Sequence, residues 1–409
     1  MKKIETLAGR ISMADHVYDL PEDKIAQFPE KERDNSKLLY CRGDLIMDDI
    51  FRNIVNYIPR NSLLVFNNTR VIRARILFRK ETGASIEVFC IEPLDPGDYE
   101  RSFSSTKPVV WKCIVGNLKK WKSESLTKRI LSGDKESEVI AEKAGSDGET
   151  INVRFSWDNP GLNFGEIIEN AGRLPLPPYI KREDDGNDAV SYQTLFSRVN
   201  GSVAAPTAGL HFTGEVLERI RRKGIRSAEL TLHIGAGTFK PVKTSNVLEH
   251  EMHTEHFIID RNTIETIRAF RNKILPVGTT SVRTLESLYW LGVKTITGGV
   301  PVAGALTLDQ WESYELMDNI TVDESLTALI EAMDSTGEKY LHAATRLMII
   351  PGYNFRMIRG LITNFHQPGS TLLLLVSAFT GKKWKRIYDH ALRNGFRFLS
   401  YGDASLVLK

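Results

Sequence analysis

The sequence predicts an α/β main domain carrying an inserted all-β, barrel-like domain, on three observations. Beyond about residue 160, helix-like and strand-like stretches alternate, as in α/β architectures. Between residues 71 and 158 the chain reads instead as short strands separated by polar turns, with no convincing helix. Five segments spread over nearly the whole chain pair a short apolar run with Gly, Ser, Thr, Asn or His: LLVFNNTRV (63–71), AAPTAGLHF (204–212), TLHIGAGTF (231–239), PVGTTSVRTLES (276–287) and LITNFHQPGST (361–371). Each reads as a buried strand followed by a loop, and in α/β folds the ligand lies across such loop ends. Five loops converging from distant parts of the chain predict one composite site.

Residues 48–58 place Phe51, Ile54, Val55 and Ile58 on one helix face. A strand at Leu63–Phe66 follows, then an interrupted strand, Val71–Lys80, in which Ile72, Ala74, Ile76 and Phe78 alternate with Arg73, Arg75 and Arg79. Short strands are expected at 85–92, 109–115, 137–142 and 150–157. Helices are expected at 164–171, 214–223, 261–271, 281–290, 323–333 and 383–394, with strands near 226–234, 273–277, 345–350, 360–364 and 396–399. Gly172 and Gly224 stand where helix C-caps belong. A chain of 409 residues is long for one core. The division expected is a discontinuous α/β catalytic domain, 1–70 and 159–409, around a β-barrel at 71–158, with 291–340 as a variable insertion.

Hydrophobic content of 42% and charged content of 26% are ordinary for a globular protein. Net charge is +3, so any nucleic-acid partner depends on local clusters of basic residues. Cys41, Cys90 and Cys113 are odd in number and widely spaced, which gives neither a disulfide framework nor a zinc pattern and reads as buried thiols in a reducing cytoplasm. The N-terminus lacks the apolar core of a signal peptide. The run Leu372–Val376, even extended to Phe379, falls far short of the roughly 18 apolar residues of a membrane span. The expectation is a soluble cytoplasmic protein with no membrane partner and no obligate protein partner evident.

In 276–287, Gly278 permits a tight turn and Ser281 can cap a helix; three hydroxyls beside free N–H groups suit a phosphate, a carboxylate or ribose oxygens, or simply cap the helix. HIGAGTF has Gly235 and Gly237 after a strand, but it lacks the third glycine of a dinucleotide loop, and Pro241 stands where a helix should start. Thr207, Gly209 and His211 precede a helix with Thr213 as its N-cap, and Asn364 and His366 follow a strand. His250, His253 and His256 recur every three residues, which does not give the one-faced pair of an HExxH metal site, so acid–base or carboxylate roles for His253 and Glu255 rank above a metal, beside plain surface solvation of the segment. Basic residues cluster at Arg73, Arg75 and Arg79, at Lys119, Lys120 and Lys122 around Trp121, and at Arg219, Arg221, Arg222, Lys223 and Arg226. Such clusters fit either solvated faces or phosphate contacts along folded RNA.

Together with YDLPEDKIAQFP (18–29), GRLPLPPYIKR (172–182), YQTLFS (192–197), IIPGYNFR (349–356) and FRFLSYGDASL (396–406), the five loops resemble the S-adenosylmethionine:tRNA ribosyltransferase-isomerase family of queuosine biosynthesis. The resemblance implies an α/β domain with an inserted β-barrel. It also implies an enzyme that transfers and isomerises the ribosyl group of S-adenosylmethionine onto preQ1 at the wobble position of tRNA, giving epoxyqueuosine-tRNA, adenine and methionine. S-adenosylmethionine is then a co-substrate and no metal is called for, because the sulfonium already acidifies C5′. A base for that proton and an acid for departing adenine are needed, and the candidates are His211, His233, His253, Glu255 and His366. The donor-binding candidates are Thr207, Gly209, Phe212, Gly235, Gly237, Thr238, Gly278, Thr279, Thr280, Ser281, Arg283, Asn364, Phe365 and Asp403. Among these, 278–281 with Arg283 would take the methionine carboxylate and Asp403 its ammonium. Phe212, Phe239 and Phe365 would stack on a base or approach the sulfonium. Candidates for RNA contact are Asn67, Asn68, Thr69, Arg70, Arg73, Arg75 and Arg79.

The chain departs from the family pattern at VIRAR, where VIPAR is usual, and at Arg173-Leu174, where His-Met is usual. Segment 291–340 is longer than in typical members. The alternative reading is a divergent paralogue that binds RNA or a nucleoside without this activity.

Overall fold

A computed structural model of the chain describes residues 2–9, 11–80, 82–122, 124–235, 237, 244, 246–298 and 306–409. At its centre lies Leu63–Asn67, a strand with every residue buried. It pairs in parallel with Arg226–Leu232 on one side and with Ile274–Pro276 on the other. The sheet continues from Arg226–Leu232 through Glu255–Asp260 and Tyr340–Thr345 to Leu306–Leu308. A four-stranded sheet, ordered Gly360–Asn364, Ala404–Leu408, Lys37–Arg42, Leu45–Ile50, adjoins the other edge. Parallel bridges Ile274↔Ile358 and Val277↔Ile362 join the two. Gly278 N–H also donates to the Ile362 carbonyl at 2.8 Å. The loops leaving these two parallel strands therefore emerge side by side.

The helix Thr279–Gly298 is buried along most of its length, with Val282, Leu285, Leu288 and Leu291 fully inside the main core. Burying each such side chain is worth about 1.5–3 kcal/mol. The helix N-terminus is thereby fixed against the sheet.

The third sheet is seven-stranded and antiparallel, ordered Gly172–Arg173, Arg75–Arg79, Ser85–Asp95, Val109–Gly116, Thr150–Trp157, Lys135–Asp147, Ser125–Ser132. Its edge strand Ser125–Ser132 packs back against Arg75–Arg79, which curls the sheet. Phe78, Val88, Trp111, Val139 and Phe155 form its own core, covered by Phe164, Ile167 and Ile168 of the helix Phe164–Ala171. Asn163 and Glu166 close that helix start with a reciprocal capping box. The molecule is thus a mixed α/β fold with a curled antiparallel sheet.

Several local expectations are corrected. The stretch 48–58 is no single helix: Leu45–Ile50 is a strand, followed by single turns at Phe51–Asn53 and Ile54–Tyr57. Phe51, Ile54, Val55 and Ile58 are nonetheless all buried, so the periodicity marked a buried side without marking its shape. The strands expected at 345–350 and 396–399 lie instead at Tyr340–Thr345 and Ala404–Leu408. The helices Thr371–Thr380 and Tyr99–Ser104 went unread, the second inside the region expected to be all β. Gly172 has φ −94°, so it is no left-handed cap. A Cβ there would lie 1.7 Å from the Arg73 carbonyl oxygen, and close backbone approach explains the glycine. Residue 291 falls inside the helix Thr279–Gly298, and Leu308, Leu326, Leu329 and Met333 enter the main core. Among the described residues no helix is long and apolar enough to cross a membrane. Cys41, Cys90 and Cys113 are buried free thiols.

Candidate active site

Four of the five loops meet at one cleft. Thr207, Thr279, Thr280, Asn364 and His366 line it, with Pro206, Ile234 and Tyr179 among its walls. Gly278, at φ +91°, turns the chain from strand into helix so that Thr279 and Thr280 begin the first helical turn at the cleft. Free N–H groups there give the end of the helix a partial positive charge. Among the described residues the cleft wall holds one imidazole, His366, and no carboxylate.

A buried chain of hydrogen bonds supports this wall. Thr207 Oγ1 donates to Asn364 Oδ1 at 2.9 Å, and Asn364 Nδ2 lies 3.1 Å from His211 Nε2. His211 Nδ1 in turn lies 2.8 Å from Ser36 Oγ. Burial, with the nearby Arg397 charge, pushes the His211 pKa down to about 3. His366 Nε2 meets Thr363 Oγ1 at 2.9 Å, and burial pushes its pKa down to about 3 as well.

Behind the cleft, Arg283 Nη1 pairs with Glu255 Oε2 at 2.8 Å, both side chains being more than nine-tenths buried. Among the described residues, Thr280 Oγ1, Arg283 Nε and Arg283 Nη2 are buried without hydrogen-bond partners. Residues three apart share a helix face, so these donors stand on the side of the helix that carries Thr280 to the cleft.

A separate groove runs between the main and seven-stranded sheets. His233, Gly235, Gly237 and His253 line it from one side, and Glu92, Tyr99 and Lys112 from the other. The His233 ring stacks on Tyr99 with centroids 4.3 Å apart, and its Nδ1 lies 3.3 Å from Thr69 Oγ1. Burial, then the neighbouring His256, pushes the His233 pKa down to about 4. A Cβ on Gly237 would fall 1.6 Å from His253 Cδ2, so this glycine makes room for an imidazole rather than for a phosphate.

A family model described as queuosine biosynthesis protein matches residues 13–407. The chain belongs to that family. An S-adenosylmethionine:tRNA ribosyltransferase-isomerase of Azoarcus sp. (strain BH72) is 38% identical over 408 residues, 98% of this chain and 98% of that protein. Proteins of the same name from Sulfurihydrogenibium sp. (strain YO3AOP1) and Thermotoga petrophila are 36% and 38% identical, over 97% and 96% of this chain and 100% and 98% of their own lengths. A crystal structure of S-adenosylmethionine tRNA ribosyltransferase from Thermotoga maritima is 27% identical, with 96% of this chain and 100% of that one covered, at a TM-score of 0.44.

In this queuosine-family chain the other candidate residues are distributed as follows. Gly209 and Ser281 are buried, with Ser281 Oγ turned back to the Val277 carbonyl at 2.9 Å. Phe212 is fully buried against Phe51, Phe66 and Phe196, which puts its ring in the core. The Phe365 ring packs on Tyr388, Phe396 and Phe398. Asp403 accepts from the backbone of Lys37 at 2.9 Å and of Arg397 at 2.7 Å, and so ties chain segments together. Thr238 and Phe239 lie outside the described residues.

The proposed RNA-contact set divides similarly. Asn67 bonds both Leu232 backbone groups, Asn68 bonds Thr231 and Glu229, and Thr69 meets Ser202. Arg73 pairs with Glu169 and Arg75 with Glu87, each at 3.1 Å. Arg70 and Arg79 are exposed and have no ion pair among the described residues. Of the other basic clusters, Trp121 is buried, Arg221 and Arg222 hold Glu218, and Arg219 holds the Arg52 carbonyl. Ser36, Tyr99, Tyr179 and Ser400 escaped the sequence reading. Tyr179 and Ser400 stand in GRLPLPPYIKR and FRFLSYGDASL, where the family resemblance is the available signal, whereas the neighbours of Ser36 and Tyr99 carry no pattern that distinguishes them from solvated polar residues.

Proposed function

We propose that this chain is an S-adenosylmethionine:tRNA ribosyltransferase-isomerase that acts on preQ1 at the tRNA wobble position and yields epoxyqueuosine-tRNA, adenine and methionine. The observation that carries the reading is a single cleft lined by both Thr280, whose hydroxyl has no hydrogen-bond partner among the described residues, and the imidazole of His366, with the Arg283 guanidinium buried behind Thr280. The methionine carboxylate is assigned to the first turn of the helix Thr279–Gly298, where N–H groups, Thr280 Oγ1 and the Arg283 guanidinium offer matching donors. Glu255 holds Arg283 in place and leaves two of its nitrogens for the ligand. Asn364, fixed by His211 and Thr207, serves the ribose hydroxyls. His366 accepts the C5′ proton that the sulfonium acidifies, and the resulting carbon nucleophile drives loss of adenine. Adenine takes up a proton as its bond to the sugar breaks, the preQ1 amine bonds to the sugar and gives up a proton, and methionine leaves when the C5′–S bond breaks and C5′ forms its new ring bond.

The curled sheet, its edge strand Gly172–Arg173 apart, is read as a unit inserted at 71–158, and the groove lined by Tyr99, His233 and His253 as the approach for the RNA. Arg70 and Arg79 contact its phosphates. The reaction is cytoplasmic and calls for neither a metal nor an obligate protein partner. The purified chain tests this with S-adenosylmethionine and preQ1-bearing tRNA, using unmodified tRNA as control. Adenine release with a mass gain on the modified RNA alone is expected; adenine release with both RNAs, or with neither, contradicts the assignment.

A further inference from the structure

The imidazole that borders the cleft is held by its own loop. The strand Gly360–Asn364 ends beside the cleft, and the chain then turns so that His366 Nε2 comes to 2.9 Å from Thr363 Oγ1. Thr363 is 2% exposed, and its place is fixed by pairing with Ser405, whose Oγ donates to the Thr363 carbonyl at 3.1 Å. The backbone of His366 is fastened twice more. Its N–H donates to Tyr388 Oη at 3.1 Å, and Tyr18 Oη–H donates to its carbonyl. The rings of Tyr18 and Tyr388 meet edge to face with centroids 5.1 Å apart, so the two phenols clamp the residue as one unit.

That arrangement leaves one ring nitrogen for a ligand. Nδ1 makes no hydrogen bond among the described residues, yet it is not enclosed as Thr280 Oγ1 is, and His366 is only half-buried on the cleft wall. A neutral imidazole carries one N–H and one lone pair, and a threonine hydroxyl can meet Nε2 in either sense. A base must present its lone pair to the proton it takes. With Nε2 turned to the strand, the lone pair is of use only on Nδ1. The ring proton then sits on Nε2, and Thr363 Oγ1 is its acceptor. No carboxylate stands on this wall among the described residues. The hydroxyl therefore takes the part that a carboxylate plays behind the histidine of a hydrolase triad.

We propose that Thr363 is a positioning residue for the ribosyl transfer: by accepting the Nε2 proton of His366 it fixes the tautomer whose Nδ1 removes the C5′ proton of S-adenosylmethionine. The inference rests on the ribosyl-transfer reading. In the step, the C5′–H bond breaks, its electron pair stays on carbon, and a new N–H bond forms at Nδ1. The imidazolium keeps its Nε2–H bond to Thr363, because the hydroxyl oxygen accepts from the neutral and the charged ring alike. Nδ1 then gives its proton to water and the ring is reset. Nothing on the Thr363 side has to turn during the transfer.

Two measurements on the purified full chain test this. Long-range proton–nitrogen correlation spectra of the histidine-labelled protein at neutral pH report which nitrogen of each ring carries the proton, and His366→Gln identifies the signal of that residue. A protonated Nε2 and a bare Nδ1 are expected in the wild type and in Thr363→Ser, and a mixture of tautomers in Thr363→Val. The same variants are assayed for adenine release with preQ1-bearing tRNA. Thr363→Val is expected to lower kcat about tenfold or more with KM for S-adenosylmethionine little changed, a factor of ten being the loss of one good hydrogen bond. Thr363→Ser, which keeps the hydroxyl, is expected to recover most of that rate. If Thr363→Val fails to fold, the wild-type spectrum decides alone. A proton on Nδ1 in the wild type, an unaltered tautomer in Thr363→Val, or a kcat untouched by Thr363→Val overturns the proposal. A wild type that releases no adenine although Nε2 carries the proton overturns the C5′ step through the reading beneath it, and the spectrum tells that failure from the others.

Discussion

His211 Nε2 lies 3.1 Å from Asn364 Nδ2, and that contact determines the state of the ring. An amide nitrogen only donates, so Nε2 must accept and the proton must sit on Nδ1, directed at Ser36 Oγ. With both nitrogens occupied, His211 acts through Asn364 as a positioning residue and has no lone pair left for a substrate proton. His211→Leu strips the amide of its partner, which costs about 1–3 kcal/mol. The expected result is a loss of adenine release carried mainly by KM for S-adenosylmethionine, with the shape of the pH–rate profile kept. Disappearance of a limb of that profile would make His211 a proton carrier instead.

His366 faces the cleft where no carboxylate stands among the described residues. His366→Gln is expected to lower adenine release by about 10²–10⁴-fold, the range for removing a general base, while calorimetry finds the affinity for S-adenosylmethionine retained. Loss of affinity with an unaltered turnover rate would make it a binding group.

The Glu255–Arg283 pair is buried, and breaking such a pair from one side costs about 3–5 kcal/mol. Glu255→Gln should therefore lower the urea midpoint strongly. Glu255→Leu combined with Arg283→Leu should recover much of the stability and still fail to bind S-adenosylmethionine. Binding by that double variant would separate Arg283 from the donor carboxylate.

Three histidines held neutral make stability pH-dependent. His211 and His366 titrate near 3 and His233 near 4 in the native state, each depressed first by burial, against about 6.5 when unfolded. Below pH 6.5 the unfolded chain takes up protons that the native chain refuses. Their contribution is thus complete above pH 6.5 and is lost as pH falls toward 3–4, with a slope of up to about 1.4 kcal/mol per pH unit for each ring. Urea melts between pH 7.5 and 5 should show it, and His233→Asn should flatten the slope by one ring's share.

Arg70 and Arg79 are exposed without ion pairs among the described residues, whereas Arg73 and Arg75 are held by Glu169 and Glu87. Arg70→Gln and Arg79→Gln should each reduce the salt dependence of tRNA binding by about 0.7–0.9 in log–log slope. Arg75→Gln should change it less. Equal slopes in all three variants would remove this face from the RNA path.

The loops that build the cleft were legible because each joins an apolar strand to small polar residues, and TTSVR and LITNFH lie together through the Val277↔Ile362 bridge. What the sequence concealed was the use of each side chain. Phe212 looks like a stacking platform in one dimension, yet its ring completes an aromatic core with Phe51 and Phe66, far away in the chain, while Phe365 packs on Tyr388 and still stands in the cleft lining. Asp403 reads as a turn residue or an ammonium ligand, and its partner Lys37 is 366 positions distant. Gly237 marked a loop correctly, but only the packing reveals that it accommodates His253. The strand Leu45–Ile50 was hidden because none of its residues is buried and its pairing with Lys37–Arg42 is a tertiary fact.

The most direct test of the account follows the proton at C5′. S-adenosylmethionine carrying tritium at that carbon is incubated with the wild type and with His366→Gln, in the presence of preQ1-bearing tRNA, and label appearing in water is counted. The account predicts release by the wild type, and almost none by His366→Gln although it still binds the donor. Release at the wild-type rate by the variant would contradict it, and would move the base to the groove lined by His233 and His253.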